Sequence, residues 1–234
     1  MKQLPLLSLA LITYANVSAQ DSTHVTVKAG ERITDVLKPT EIYHYTQFTD
    51  GVVVLKDGKK IEAKMNYNHL YDQMLFIDSK GDTLAMGNDR SVNFVAIGKD
   101  MFYYDEGYIR LFVNNDFVKL AEKKVWVVAD IQKIGTHNRP SNTVAIQSLS
   151  SLGSGTDAAK SKDLMLNENV LLRKETQYYF GDAYGHFVRA NKKKLIQLFP
   201  KDEQSIENYL KEHKIDFDKK EDVERLAEFL NNLY

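Results

Sequence analysis

The apolar pattern changes period along the chain. From residue 20 to about 130, apolar and polar positions alternate in short runs, the pattern of strands with one buried face. Val25 and Val27 alternate with Thr26 and Lys28. Tyr43, Tyr45 and Gln47 alternate with His44 and Thr46, and Ile61, Ala63 and Met65 with charged residues. Further runs lie at 52–55, 74–77, 83–86, 92–97, 101–104, 108–113, 117–121 and 125–129. Asp50-Gly51, Asp57-Gly58, Gly98-Lys99-Asp100, Glu106-Gly107 and Asn114-Asn115 punctuate them. Asp-Gly between apolar runs predicts a tight hairpin, because a type I′ turn needs positive φ at both central residues. Residues 33–37, before Pro39, fit a short helix or a strand. The expectation is an antiparallel meander of about nine or ten strands, with barrel and sandwich both open.

Periodicity disappears from 135 to 162, where Ser, Gly, Thr, Asn and Ala dominate. A long loop is expected there, with 150–162 its most disordered and protease-sensitive part. Residues 170–180 (VLLRKETQYYF) read as one more strand. From Phe187 the period becomes helical. Phe187, Leu195, Leu198 and Phe199 share one face, ended by Pro200. Asp202 is expected to cap a second helix, and Asp218 a third, with Glu221 completing a capping box. The third helix carries a stripe of Val223, Leu226, Ala227, Leu230, Leu233 and Tyr234. The predicted class is therefore α+β, an antiparallel β-rich body with three C-terminal helices. The expected division is a β-rich region at 20–134, a partly disordered loop at 135–169, and a strand plus helical region at 170–234.

The first 19 residues predict a destination. One charge on Lys2, the apolar run 4–13 (LPLLSLALIT) and the small residues Val17-Ser18-Ala19 follow in the order of a secretory signal cleaved before Gln20. The apolar run is shorter than the roughly 20 residues that cross a bilayer. Removing 19 of the 234 residues leaves 215, with 30 basic and 32 acidic side chains. A near-balanced charge gives no argument for nucleic-acid binding, and no second stretch is long enough to be an integral membrane segment. There are no cysteines, which excludes disulfides, a thiolate nucleophile and N-terminal lipidation.

The densest polar and aromatic cluster is Asn66-Tyr67-Asn68-His69-Leu70-Tyr71-Asp72. His69 and Asp72 are candidates for an acid–base pair. Asn66 and Asn68 are candidate binding residues. The competing reading is a turn whose Asn side chains bond local backbone. His137 and Arg139 form a candidate anion contact in the polar loop. Tyr104 belongs to an aromatic hairpin, Met101-Phe102-Tyr103-Tyr104 with Tyr108 and Phe112, which exposes one face or pairs its rings across strands. No two histidines have metal-site spacing. Asp78, Lys80 and Asp82 echo a calcium loop, but a lysine occupies a ligand position. No metal and no cofactor are predicted.

The stretches TVKAGERITDVLKPTEIYHYTQFTDGVVVLKDGK, AKMNYNHLYDQMLFIDSKGDTLA and FVRANKKKLIQLFPKDEQSIENYLKEHKIDF resemble a group of exported uncharacterised proteins of Bacteroidota, to which no activity is assigned. The similarity covers nearly the whole chain after residue 19. It implies a bacterial envelope setting, periplasmic, extracellular or associated with the outer membrane, and it transfers no site residue. The function expected from the sequence is a non-enzymatic binding or accessory module whose partner is an envelope protein or a small ligand. The alternative is an unrecognised hydrolase using His69 and Asp72.

Overall fold

The structure is a computed structural model that describes residues 24–87, 89–132 and 168–234. The signal segment, the loop at 135–162, and His137 and Arg139 lie outside the described residues.

Eleven strands form one open antiparallel sheet. They are β1 His24–Val27, β2 Thr49–Leu55, β3 Lys60–Asn68, β4 Gln73–Ile77, β5 Thr83–Ala85, β6 Val92–Ile97, β7 Asp100–Tyr104, β8 Tyr108–Asn114, β9 Lys119–Gln132, β10 Asn169–Gly181 and β11 Phe187–Arg189. The order is β1-β10-β9-β8-β7-β6-β2-β3-β4-β5, with β11 pairing β10. An open sheet of this width curls. The curl brings β3 against β7 and β8, which are not its neighbours in the sheet. The Tyr67 ring lies 5.6 Å from Phe102 and 6.0 Å from Tyr108. With Val53, Met65, Met74 and Val95, these residues form one core.

Among the described residues the α-helices are α1 Ile33–Val36, α2 Pro39–Ile42, α3 Lys192–Leu198, α4 Glu203–Glu212 and α5 Lys220–Asn231. They cap opposite ends of the long β9–β10 pair on a single face. At one end Ile33, Leu37, Ile42 and Leu70 cover Trp126, Val128, Val170 and Leu172. At the other, Leu195, Phe199, Ile206, Val223, Leu226 and Leu230 cover Leu120, Tyr178 and Phe180. Both caps use the even-numbered side of β9 and β10, since side chains two apart on a strand share a face.

Several expectations are corrected. Residues 43–47 alternate in sequence, but they form no strand; a single bridge joins Tyr43 to Asn68. Asp50-Gly51 is not a turn but lies inside β2. Glycine stands there because a Cβ would lie 2.9 Å from the Ala96 carbonyl oxygen and 3.2 Å from Met65 Sδ, with β3 and β6 pressed on either side. Asp57-Gly58 does turn the chain, with Gly58 at φ +84. Residues 119–121 of the first run and all of 125–129 belong to one strand, β9, which continues through Glu122-Lys123-Lys124. Phe187 lies in β11, ahead of the first C-terminal helix. The N-cap of α5 is Lys219, not Asp218, and its side chain makes no cap bond. The Asp222 carboxylate instead ties the preceding loop, accepting from Asp216 N at 2.8 Å. Leu233 and Tyr234 lie beyond the buried stripe of α5 and are exposed. Among the described residues, no helix is long and apolar enough to cross a membrane.

Candidate functional site

The cluster at 66–72 folds into the end of β3 and the turn to β4. Asn66 docks on Tyr45 as a backbone surrogate: its Oδ1 accepts from Tyr45 N at 3.0 Å and its Nδ2 donates to Tyr45 O at 2.9 Å. Asn68 Oδ1 accepts from Leu70 N at 2.9 Å and Tyr71 N at 3.1 Å, closing an Asx turn. Both side chains are buried and spent on local backbone. Asp78 does the same one turn later, accepting from Lys80 N and Asp82 N.

Asp72 and His69 serve separate networks. Asp72, at φ 53, directs its carboxylate under the β7–β8 turn. Its Oδ1 accepts from Tyr67 Oη at 2.6 Å and Tyr108 N at 3.0 Å, and its Oδ2 pairs with Lys123 Nζ at 2.5 Å. Lys123 also donates to Glu106 O at 3.1 Å. Gly107, at φ +122, lets the turn close over this pair, because a Cβ there would lie 1.9 Å from Asp72 Oδ2 and 2.1 Å from Lys123 Nζ. The ion pair is thus nearly dry and saturated with donors.

His69 packs edge-on against Tyr67 at 4.8 Å and His44 at 5.4 Å. Its Nδ1 is buried with no hydrogen-bond partner among the described residues. Burial, then the nearby charges of Lys174 and Lys124, push its pKa down to about 2. A neutral imidazole with that pKa carries no imidazolium proton to give up as a general acid near neutrality and is a weak base. Asp72 does not orient it, so the pair expected from the sequence is not assembled.

A second network lies alongside. Asp100 Oδ2 accepts from Tyr45 Oη at 2.7 Å and lies 3.3 Å from His44 Nε2, while Asp100 Oδ1 accepts from Arg110 Nη1 at 3.0 Å. Arg110 Nη2 donates to Glu122 Oε1 at 2.5 Å. Burial lowers the His44 pKa against the opposing pull of Asp100. Arg110 bridges two carboxylates and leaves the trio with one net negative charge.

What remains is a strip of polar positions between the two caps. On the shared face of β9 and β10 these are Glu122, Lys124, Lys174 and Thr176, with Lys124 opposite Thr176 and Lys174 opposite Trp126. Lys174 Nζ lies over the Trp126 ring at 5.7 Å and donates to Glu41 O at 3.4 Å. Lys124 makes no ion pair or hydrogen bond among the described residues. The strip was hard to see in the sequence because the run EKK at 122–124 reads as a break between strands. Its signal is the reverse: consecutive charges inside an otherwise apolar central strand must be paired or used.

Tyr104 is half-buried and stacks edge-on with Tyr108 at 5.2 Å. Its hairpin neighbour Phe102 is buried, and Tyr103 packs on Phe187 at 5.0 Å across the opposite face. The hairpin's aromatics mainly pair within the sheet. No group of three or more His, Asp or Glu side chains among the described residues could hold a metal ion. Comparison with protein-family models, with curated proteins and with solved structures finds no match to this chain.

Proposed function

We propose that this chain is an exported, non-enzymatic binding or accessory module of the bacterial envelope. The observation that carries the non-enzymatic reading is the separation of His69 from Asp72. Asp72 is held by Tyr67, Tyr108 N and Lys123, and His69 is kept neutral by burial. A hydrolase built on these two residues needs a base near its working pH and a partner that orients it. Neither requirement is supported by the geometry. The polar strip between the caps offers a rigid binding surface instead, carried on the two longest strands.

Export rests on Lys2, the apolar run 4–13 and Val17-Ser18-Ala19. N-terminal sequencing of the protein from the envelope fraction should read from Gln20; retention of Met1 in that fraction would overturn export. The catalytic alternative is tested with generic ester and glycoside substrates. Turnover by the wild type that disappears in both His69→Gln and Asp72→Asn, with both variants folded, would overturn the non-enzymatic reading.

A further inference from the structure

We infer that the strip between the two caps is a binding site for a soluble phosphate monoester, recognised by Lys124 and Lys174. This rests on the non-enzymatic binding reading above. Lys174 and Lys124 sit on adjacent strands as diagonal neighbours on one face, as the pairings Lys174–Trp126 and Thr176–Lys124 require. Diagonal neighbours lie about 7–8 Å apart, their Cβ atoms somewhat closer, which leaves two long lysine side chains room to hold a tetrahedral anion between their ammonium groups. Thr176, directly opposite Lys124, adds a hydroxyl donor between them.

The acids nearby are committed elsewhere. Asp100 and Glu122 are both held by Arg110. Asp72 is held by Lys123, on the other side of β9. Glu41 is the remaining carboxylate acting on Lys174, and it accepts from Lys38 N at 2.7 Å to cap α2. Two like charges on one half-buried strip cost free energy in the empty protein. The pKa of Lys174 is accordingly lowered, by burial and then by Lys124. A half-buried lysine whose pKa is depressed by a neighbouring cation is a candidate ligand contact, since an anion between the two relieves their repulsion. Two neighbouring positive charges match a dianion better than a carboxylate, and lysine acts on phosphate as a point charge. The caps rise on both sides of the strip, so the ligand is a small solute rather than a flat membrane surface.

Titration calorimetry of the mature chain with inorganic phosphate and with glycerol phosphate, at physiological salt, tests the proposal. The expected result is saturable binding with Kd below about 1 mM. Lys124→Gln and Lys174→Gln should each weaken binding at least about tenfold, which is about 1.4 kcal/mol. Lys174→Arg should retain it. Lys193→Gln, on an exposed position of α3, should leave it unchanged. Acetate should bind at least about tenfold more weakly, in keeping with its single charge. In the wild type, the NMR-detected Lys174 ammonium should titrate at higher pH once phosphate is added, a readout that needs no variant to fold. Binding that is equal in wild type and folded Lys→Gln variants overturns the site, as does an unmoved Lys174 titration. Binding to phosphatidic acid vesicles without binding to glycerol phosphate overturns the choice of a soluble ligand. None of these outcomes reports hydrolysis, so a failure here leaves the ester and glycoside assay to judge the non-enzymatic reading separately.

Discussion

At the scale of single residues, the buried charges carry the sharpest expectations. Lys123 and Asp72 are both almost fully enclosed, and Gly107 seals them. Removing one partner of a buried pair leaves the other charge desolvated and unopposed, a loss of about 3–5 kcal/mol. Lys123→Ala should therefore lower stability by that order in urea unfolding, while Lys123→Met with Asp72→Asn, which removes both charges but keeps an acceptor for Tyr67 Oη and Tyr108 N, should recover part of it. A loss below about 1 kcal/mol for Lys123→Ala would mean that water reaches Asp72. His69 makes a separate prediction, in pH. Its folded pKa is about 2 against an ordinary 6.5, so between pH 6.5 and roughly 4.5 the unfolded chain holds a proton that the folded chain lacks. Stability rises with pH across that window and falls on acidification, by up to about 1.4 kcal/mol per pH unit for this one group. His44 shifts in the same direction. Urea unfolding at pH 6.5, 5.5 and 4.5 should show the fall, and His69→Gln should make it shallower. An unchanged slope in His69→Gln would show that the folded imidazole already takes up its proton. The sequence pointed to His69 and Asp72 as reactive because they stand close in the chain. A turn residue at positive φ and a ring packed inward can be three positions apart and still face different neighbours.

At the scale of elements, periodicity located structure wherever one face meets a core. The stripe Val223, Leu226, Ala227 and Leu230 is buried as the helical spacing requires, and 170–180 is a strand within one residue at each end. The misread elements share a cause: tertiary pairing overrode local chemistry. Gly51 reads as half of a turn, yet it is the residue that lets β2 lie tightly between β3 and β6. The charges at 122–124 read as a loop, yet Lys123 and Glu122 find partners from β4's approach turn and from β8. Such partners are distant in sequence, so no local pattern announces them. For α5 the expectation is quantitative. Leu226 is fully buried against the sheet, and Leu226→Ala should cost about 2–5 kcal/mol. Glu228, exposed on the same helix, should change stability by no more than about 0.5 kcal/mol as Ala. Thermal unfolding of the two variants measures the contrast, and equal midpoints would show that α5 is not part of the cooperative unit.

At the scale of the whole molecule, the long β9–β10 pair is the common floor of both helical caps, and the polar strip is the part of that floor left between them. The sequence indicated the β-rich body and the C-terminal helices, but it could not show that two separate sets of helices settle on one face of one strand pair. That depends on which strands become neighbours across a connection of 36 residues, from Gln132 to Asn169. The arrangement has a consequence for local stability. Amides in the middle of β9 and β10 are released only when the caps lift and neighbouring strands separate, whereas β5 is a three-residue edge strand with two of its side chains exposed. Opening free energies span from near zero at frayed edges to the global value in strands of this kind. Hydrogen exchange followed by mass spectrometry should find residues 120–128 and 171–180 the slowest in the protein and 83–85 among the fastest. Leu226→Ala should speed exchange throughout β9 and β10, including near Trp126 under the opposite cap, because both caps share the same strands. Faster exchange confined to the α5 end, with the Trp126 region unchanged, would show that the two caps open independently and that the strip between them is a boundary between two units.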